Sequence, residues 1–200
     1  THSDSSAASD VYKRQIYPSP AHWSMKGIRG VLAQRNLREV QGIVEKALIE
    51  YVDERSEDPA MKYAKDILLA GGKRFRPVLG CLAYEAAGAT LDDKMLRTAL
   101  SAEIIHTATL VHDDIYDQAK LRRGRPTLHS QHGIAHGIIS GDYLFTLGYW
   151  LGAEQGPEVI KVLAETCIGL ANGELLQFDH IGDLGTVSYT HLTLPTSHCV

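Results

Sequence analysis

From residue 37 onward, apolar side chains return every three or four positions. Between Leu37 and Val52 they fall at Leu37, Val40, Ile43, Val44, Ala47, Leu48 and Tyr51, the spacing that lines one face of an α-helix. Val and Ile do not gather into alternating runs and aromatic residues make up only 7% of the chain, so no sheet is expected. The helix breakers agree with the periodicity. Asp58-Pro59 offers an N-cap and a first-turn proline, opening a helix toward Leu69. Gly71-Gly72 breaks that helix, Arg76-Pro77 starts the next, and Gly88 closes it. Thr90 and Asp93 have capping-box spacing, and the helix they start extends from Asp92 to about Asp117. Beyond a basic, glycine-containing loop, further helices cover Ile134 to Ala153 and Gly156-Pro157 to about Phe178. Helix following helix through short connections implies an all-α, antiparallel helical bundle.

The two ends do not share this pattern. Ser5 to Gln15 reads SSAASDVYKRQ and Val187 to Thr196 reads VSYTHLTLPT. One DNA segment resembling a sequencing-library adapter encodes the first, and its reverse complement encodes the second. Residues 1–15 and 187–200 are therefore expected to be adapter-derived tails around an interpretable domain at 16–186. Met25 is an eligible natural start, and the natural C-terminus is expected to be missing. The remainder suffices for one domain with a sizeable core. A formal charge of −4 favours neither nucleic acid nor an anionic membrane surface. No apolar run is long enough to span a bilayer, and the polar first residues are unlike a signal peptide. Cys81, Cys167 and Cys199 are isolated from one another, so a reduced, cytoplasmic setting is expected.

The segment from His112 to Thr127, HDDIYDQAKLRRGRPT, carries the most chemistry. Asp113 and Asp117 are i and i+4, which on a helix puts their Cβ atoms roughly 5–6 Å apart on one face; Asp114 flanks that face. Three carboxylates near a helix C-terminus repel one another and oppose the macrodipole, so folding alone gives little reason for them. Hard oxygen ligands on one face suit Mg²⁺, which keeps several waters and shares itself with substrate phosphates. Taken alone, a solvated acidic helix end accounts for them equally well. Their surroundings favour the metal. Arg122, Arg123 and Arg125 follow at once, cations able to meet diphosphate oxygens. Upstream, GGKRFRP from Gly71 to Pro77 sets Lys73, Arg74 and Arg76 at a helix start, a position that favours anions. His106 lies two turns before Asp113 on the same face, directed toward the acidic cluster.

GGKRFRP, the long HTATLVHDDIYDQAKLRRGRPT run and GDYLF together resemble the trans-prenyl diphosphate synthase (polyprenyl synthetase) family, from about Leu37 to Asp179. The resemblance implies an isoprenoid-synthase bundle, incomplete at its C-terminus, from a Mg²⁺-dependent homodimeric enzyme that adds isopentenyl diphosphate to an allylic diphosphate. It implies that Asp113 and Asp117 ligate Mg²⁺ with Asp114 in support, and that Arg122 binds the allylic diphosphate. Lys73, Arg76, His106 and Arg123 would bind isopentenyl diphosphate. Asp142, Glu174 and Gln177 match positions bordering the cavity, Gln177 among the substrate contacts. No bulky aromatic stands near Ala108 and Thr109, and Ala99 and Ala102 are also small, so a product of geranylgeranyl length or longer is expected. The family's second aspartate-rich motif would lie beyond Thr186; the fragment is therefore expected to be inactive and to expose apolar surface on its last helices. A terpene cyclase would not need the second cation cluster, a non-catalytic partner subunit commonly lacks the acidic motif, and a plain helical interaction domain leaves both unexplained.

Overall fold

A computed structural model describes residues 37–181; the expected tails, Met25 and Cys199 lie outside them. The first described helix, α1 (Leu37–Glu54), buries Val40, Val44, Leu48, Tyr51 and Val52, the face expected from its spacing except at Leu37, which is exposed. Next come α2 (Met61–Leu68), α3 (Phe75–Ala86) and the long α4 (Asp93–Tyr116). A two-stranded antiparallel hairpin follows, β1 (Leu121–Arg122) with β2 (Arg125–Pro126), then a short α5 (Leu128–His132). The described residues end with α6 (Ile134–Ala153) and α7 (Pro157–Asp179). This is the expected all-α bundle. The hairpin, where only a loop was expected, is too short to contribute a layer.

Two helix starts differ from the expectation. Asp58 does not cap α2: the helix begins at Met61, no side chain caps it, and the Asp58 carboxylate accepts a hydrogen bond from Tyr143 Oη at 2.7 Å. A tertiary partner has outcompeted the local one. At α4 the cap is Asp92, whose side chain accepts from Met95 N at 2.8 Å, rather than Thr90. The ends follow their glycines more faithfully. Gly88, at φ +92°, closes α3 with its N–H bonded to Glu85 O and that of Ala89 to Tyr84 O, the paired bonds of a Schellman stop.

Helix α4 is the centre of the bundle. Leu100, Ile104, Ala108 and Val111 join the core with Val44 and Leu48 of α1 and Leu144 and Leu151 of α6. Its tightest neighbour is α6, which presents glycines at 137, 141, 148 and 152. A Cβ on Gly148 would lie 2.4 Å from Ile105 Cγ1 and 3.1 Å from Ser101 O, and one on Gly141 would lie 2.1 Å from His112 Nε2. Ser101 Oγ crosses the seam to donate to Gly148 O at 2.7 Å. The glycines let the two backbones approach with no side-chain layer between them.

Helix α7 packs chiefly on α6 and has a single fully buried residue, Gly173. Val162, Ile168, Leu175 and Phe178 are exposed along it, Ile168 by 62%. Apolar surface does stand open on the last described helix, as expected.

Candidate diphosphate and metal site

The C-terminal turn of α4 is held by a second Schellman stop. Gln118 takes a left-handed φ of +54°; its N–H bonds to Ile115 O at 3.2 Å, and that of Ala119 bonds to Asp114 O at 2.9 Å. These bonds satisfy the last carbonyls of the helix and turn the chain back along it. Leu121 then pairs with Pro126 and Arg122 with Arg125. The connecting residues, Arg123 and Gly124, both have positive φ, +51° and +76°, as a type I′ turn requires. Thr127 and Ser130 close the base, each donating from its hydroxyl to a backbone carbonyl, Ala119 O and Lys120 O respectively.

The fold-back brings the basic residues to the aspartates. Arg122 Nε donates to Asp114 Oδ1 at 2.8 Å. Burial pushes the Asp114 carboxyl upward, and the Arg122 guanidinium opposes that shift. Asp113 is buried and accepts a hydrogen bond from Tyr116 Oη, whose own proton is held by burial and by that bond. Asp117, the C-cap residue, is exposed. Asp114 is thus engaged by Arg122, and the two i, i+4 carboxylates remain as the candidate metal pair. Among the described residues no three acidic, histidine or cysteine side chains form a closed cage. Magnesium held by one or two carboxylates together with substrate phosphates requires none, so the donor set fits the ion.

The second cluster arrives from the other side. Arg123 Nη1 donates to Gly71 O at 2.9 Å across 52 residues of sequence. A Cβ on Gly72 would lie 3.0 Å from that same nitrogen, so glycine there permits the approach. Lys73 is exposed and Arg76 half-buried. His106, half-buried on α4, has its imidazole held down at about 4, first by burial and then by Arg76, Arg123 and Arg122. It is a neutral ring among cations.

Arg74 does not belong with these cations. It sits at φ +48°, is 5% exposed, and reaches inward to Glu45 (Nε to Oε2, 2.7 Å) and Glu103 (Nη1 to Oε1, 3.1 Å). Its Nη2 donates to Leu68 O at 2.7 Å. Of the residues expected at a cavity border, Asp142 is exposed, 3.6 Å from His112 Nε2. Gln177 is half-buried on α7; its neighbour Phe178 meets the Tyr116 ring edge-on at 5.4 Å. Sequence reasoning missed Tyr116, Glu45 and Glu103. The last left a signal: a carboxylate on the core-facing register of α4, four residues before Thr107 and four after Ala99.

A family profile described as polyprenyl synthetase matches residues 58–193. The chain belongs to the polyprenyl synthetase family. Among curated relatives, heptaprenyl diphosphate synthase component 2 of Geobacillus stearothermophilus is 42% identical over 120 residues, 60% of this chain and 37% of that protein. Geranylgeranyl pyrophosphate synthase of Geoglobus acetivorans is 31% identical over 158 residues, 75% of this chain and 49% of that protein. The chain thus spans less than half the length of either relative. Among solved structures it is similar to heptaprenyl diphosphate synthase of Staphylococcus aureus, with a TM-score of 0.70 and 26% identity, covering 78% of this chain and 50% of that one. Geranylgeranyl pyrophosphate synthetase of Geoglobus acetivorans gives a TM-score of 0.68 at 29% identity over 76% of this chain and 51% of that one. The fold of the described residues is that of the isoprenoid synthases.

Proposed function

We propose that this chain is the N-terminal part of a prenyl diphosphate synthase that joins isopentenyl diphosphate to an allylic diphosphate and releases pyrophosphate. The observation that carries the reading is the double engagement of the Arg122–Arg123 turn, with Arg122 on Asp114 and Arg123 on Gly71 O. It brings an acidic motif and a basic motif, far apart in sequence, next to one another. Two diphosphates and a divalent cation need that combination of charges.

In this reading Asp113 and Asp117 hold Mg²⁺, which when bound supplies positive charge to the leaving diphosphate. Arg122, oriented by Asp114, meets the allylic diphosphate and stabilises the charge that develops as its C–O bond breaks. Lys73, Arg76 and Arg123 hold isopentenyl diphosphate, with His106 neutral beside them and able to donate one N–H. No side chain is assigned as general base; the departing pyrophosphate accepts the proton. Gln177, Glu174 and Asp142 border the cavity. Ala108 and Thr109 are small and set no early stop, so the product is taken to be of geranylgeranyl length or longer. The working enzyme is taken to be a cytoplasmic homodimer completed by sequence beyond residue 186, and the chain as it stands to be inactive. Among the described residues no helix is long and apolar enough to cross a membrane.

The test is an assay of a chain extended to its relatives' full length, with labelled isopentenyl diphosphate, allylic primers of several lengths, and Mg²⁺ present or chelated. Metal-dependent elongation, lost in Asp113→Asn and weakened in Lys73→Ala, is expected. No elongation with any primer would refute the reading.

A further inference from the structure

GGKRFRP reads as one string of positive charge, yet its three cations have different surroundings. The Gly71–Lys73 segment is tied at three points. Arg123 Nη1 donates to Gly71 O. Gln41 Nε2 lies 3.4 Å from both Gly72 O and Lys73 O. Arg74, the residue that ends the segment, is anchored by Glu45, Glu103 and Leu68 O. Gln41 and Glu45 are i and i+4 on α1 and so share one face of that helix. A non-glycine residue in the left-handed region costs about 1–2 kcal/mol, and this conformation is maintained by two carboxylates that hold a fork no other side chain reproduces.

We propose that Gln41, Glu45, Glu103 and Arg74 are positioning residues, a clamp with Arg74 and Glu103 at its buried end, that fixes the Gly71–Lys73 segment so that Lys73 and Arg76 stand toward a diphosphate. Arg74 itself touches no ligand. The diphosphate part of this inference rests on the function proposed above; the clamp part does not.

Simple electrostatics and the clamp predict opposite signs. Removing a carboxylate near an anion site tightens anion binding if charge alone matters; removing Glu45 loosens it if the carboxylate acts by holding the loop. The full chain and its Glu45→Gln and Gln41→Ala variants are titrated calorimetrically with inorganic pyrophosphate in the absence of Mg²⁺. The dissociation constant is expected to rise about tenfold in Glu45→Gln and about threefold in Gln41→Ala, with Arg74→Lys no better than Glu45→Gln because lysine lacks the fork. Unchanged or tighter binding in Glu45→Gln would overturn the proposal, as would parent-like binding by Arg74→Lys. Hydrogen exchange reads the clamp directly: amides of residues 70–76 should exchange several-fold faster in Glu45→Gln while those of α6 do not change. Equal exchange in residues 70–76 would sink the clamp whatever the loop binds. Faster exchange in the variant, with no pyrophosphate binding by the parent, would uphold the clamp and sink the diphosphate reading.

Discussion

Replacing Gly148 with alanine opposes two effects of known size. In a helix interior alanine is favoured over glycine by about 1 kcal/mol. Against this, the new methyl would lie 2.4 Å from Ile105 Cγ1 and 3.1 Å from the carbonyl oxygen of Ser101. The first contact is with a branch carbon close to the backbone and the second with the backbone itself, so neither yields as a side-chain tip would. Overpacking of this kind costs about 1–3 kcal/mol, and separating the helices also lengthens the 2.7 Å bond from Ser101 Oγ to Gly148 O. With the upper part of that range applying, the net loss is about 2 kcal/mol, or about 4–8 °C in Tm for a chain of this size. Gly42, with nothing within 4 Å of its would-be Cβ, is the matched control, and Gly42→Ala should gain up to about 1 kcal/mol. Thermal and urea unfolding of the two variants and the parent decide the matter. Gly148→Ala as stable as Gly42→Ala would refute the close α4–α6 seam.

His106, with its imidazole held down at about 4, binds its proton less readily folded than unfolded, where about 6.5 is usual. Its contribution to stability is therefore complete above about pH 6.5 and is lost as the pH falls toward 4; an NMR titration of His106 with a midpoint above 6 would contradict the structure. Cys81, buried in the core with its thiol pushed up to about 11, should resist alkylation at pH 8 until the protein unfolds, whereas fast labelling of the native chain at Cys81 would show the core to be open. Arg122→Ala leaves the Asp114 carboxylate without its ion-pair partner, a loss expected to cost about 1–3 kcal/mol, measured by urea unfolding; an unchanged midpoint would mean the pair contributes nothing. In the extended enzyme, Ala108→Phe should shorten the product read by chromatography. Because Ala108 is fully buried, the variant's Tm must be followed alongside.

What could be read from the sequence was whatever depends on local signals. The start of α7 follows from Gly156-Pro157, and the buried face of α1 follows from its spacing. The acidic pair at the end of α4 was legible because i and i+4 on a helix settle geometry without any tertiary knowledge. Arg74 was not legible, because three cations in a row look alike until a left-handed φ turns one inward to partners 29 residues away on either side. The cap at Asp58 failed for a related reason: a distant tyrosine claimed its carboxylate. The hairpin after α4 was hidden because Arg-Gly is a weaker type I′ signal than Asn-Gly.

Glu174, Gln177 and Phe178 are carried on α7, a helix with one buried residue, Gly173. A helix with so few tertiary contacts opens at a low free energy compared with the core. In this chain the amides of α7 should therefore exchange sooner than those of α4 and α6.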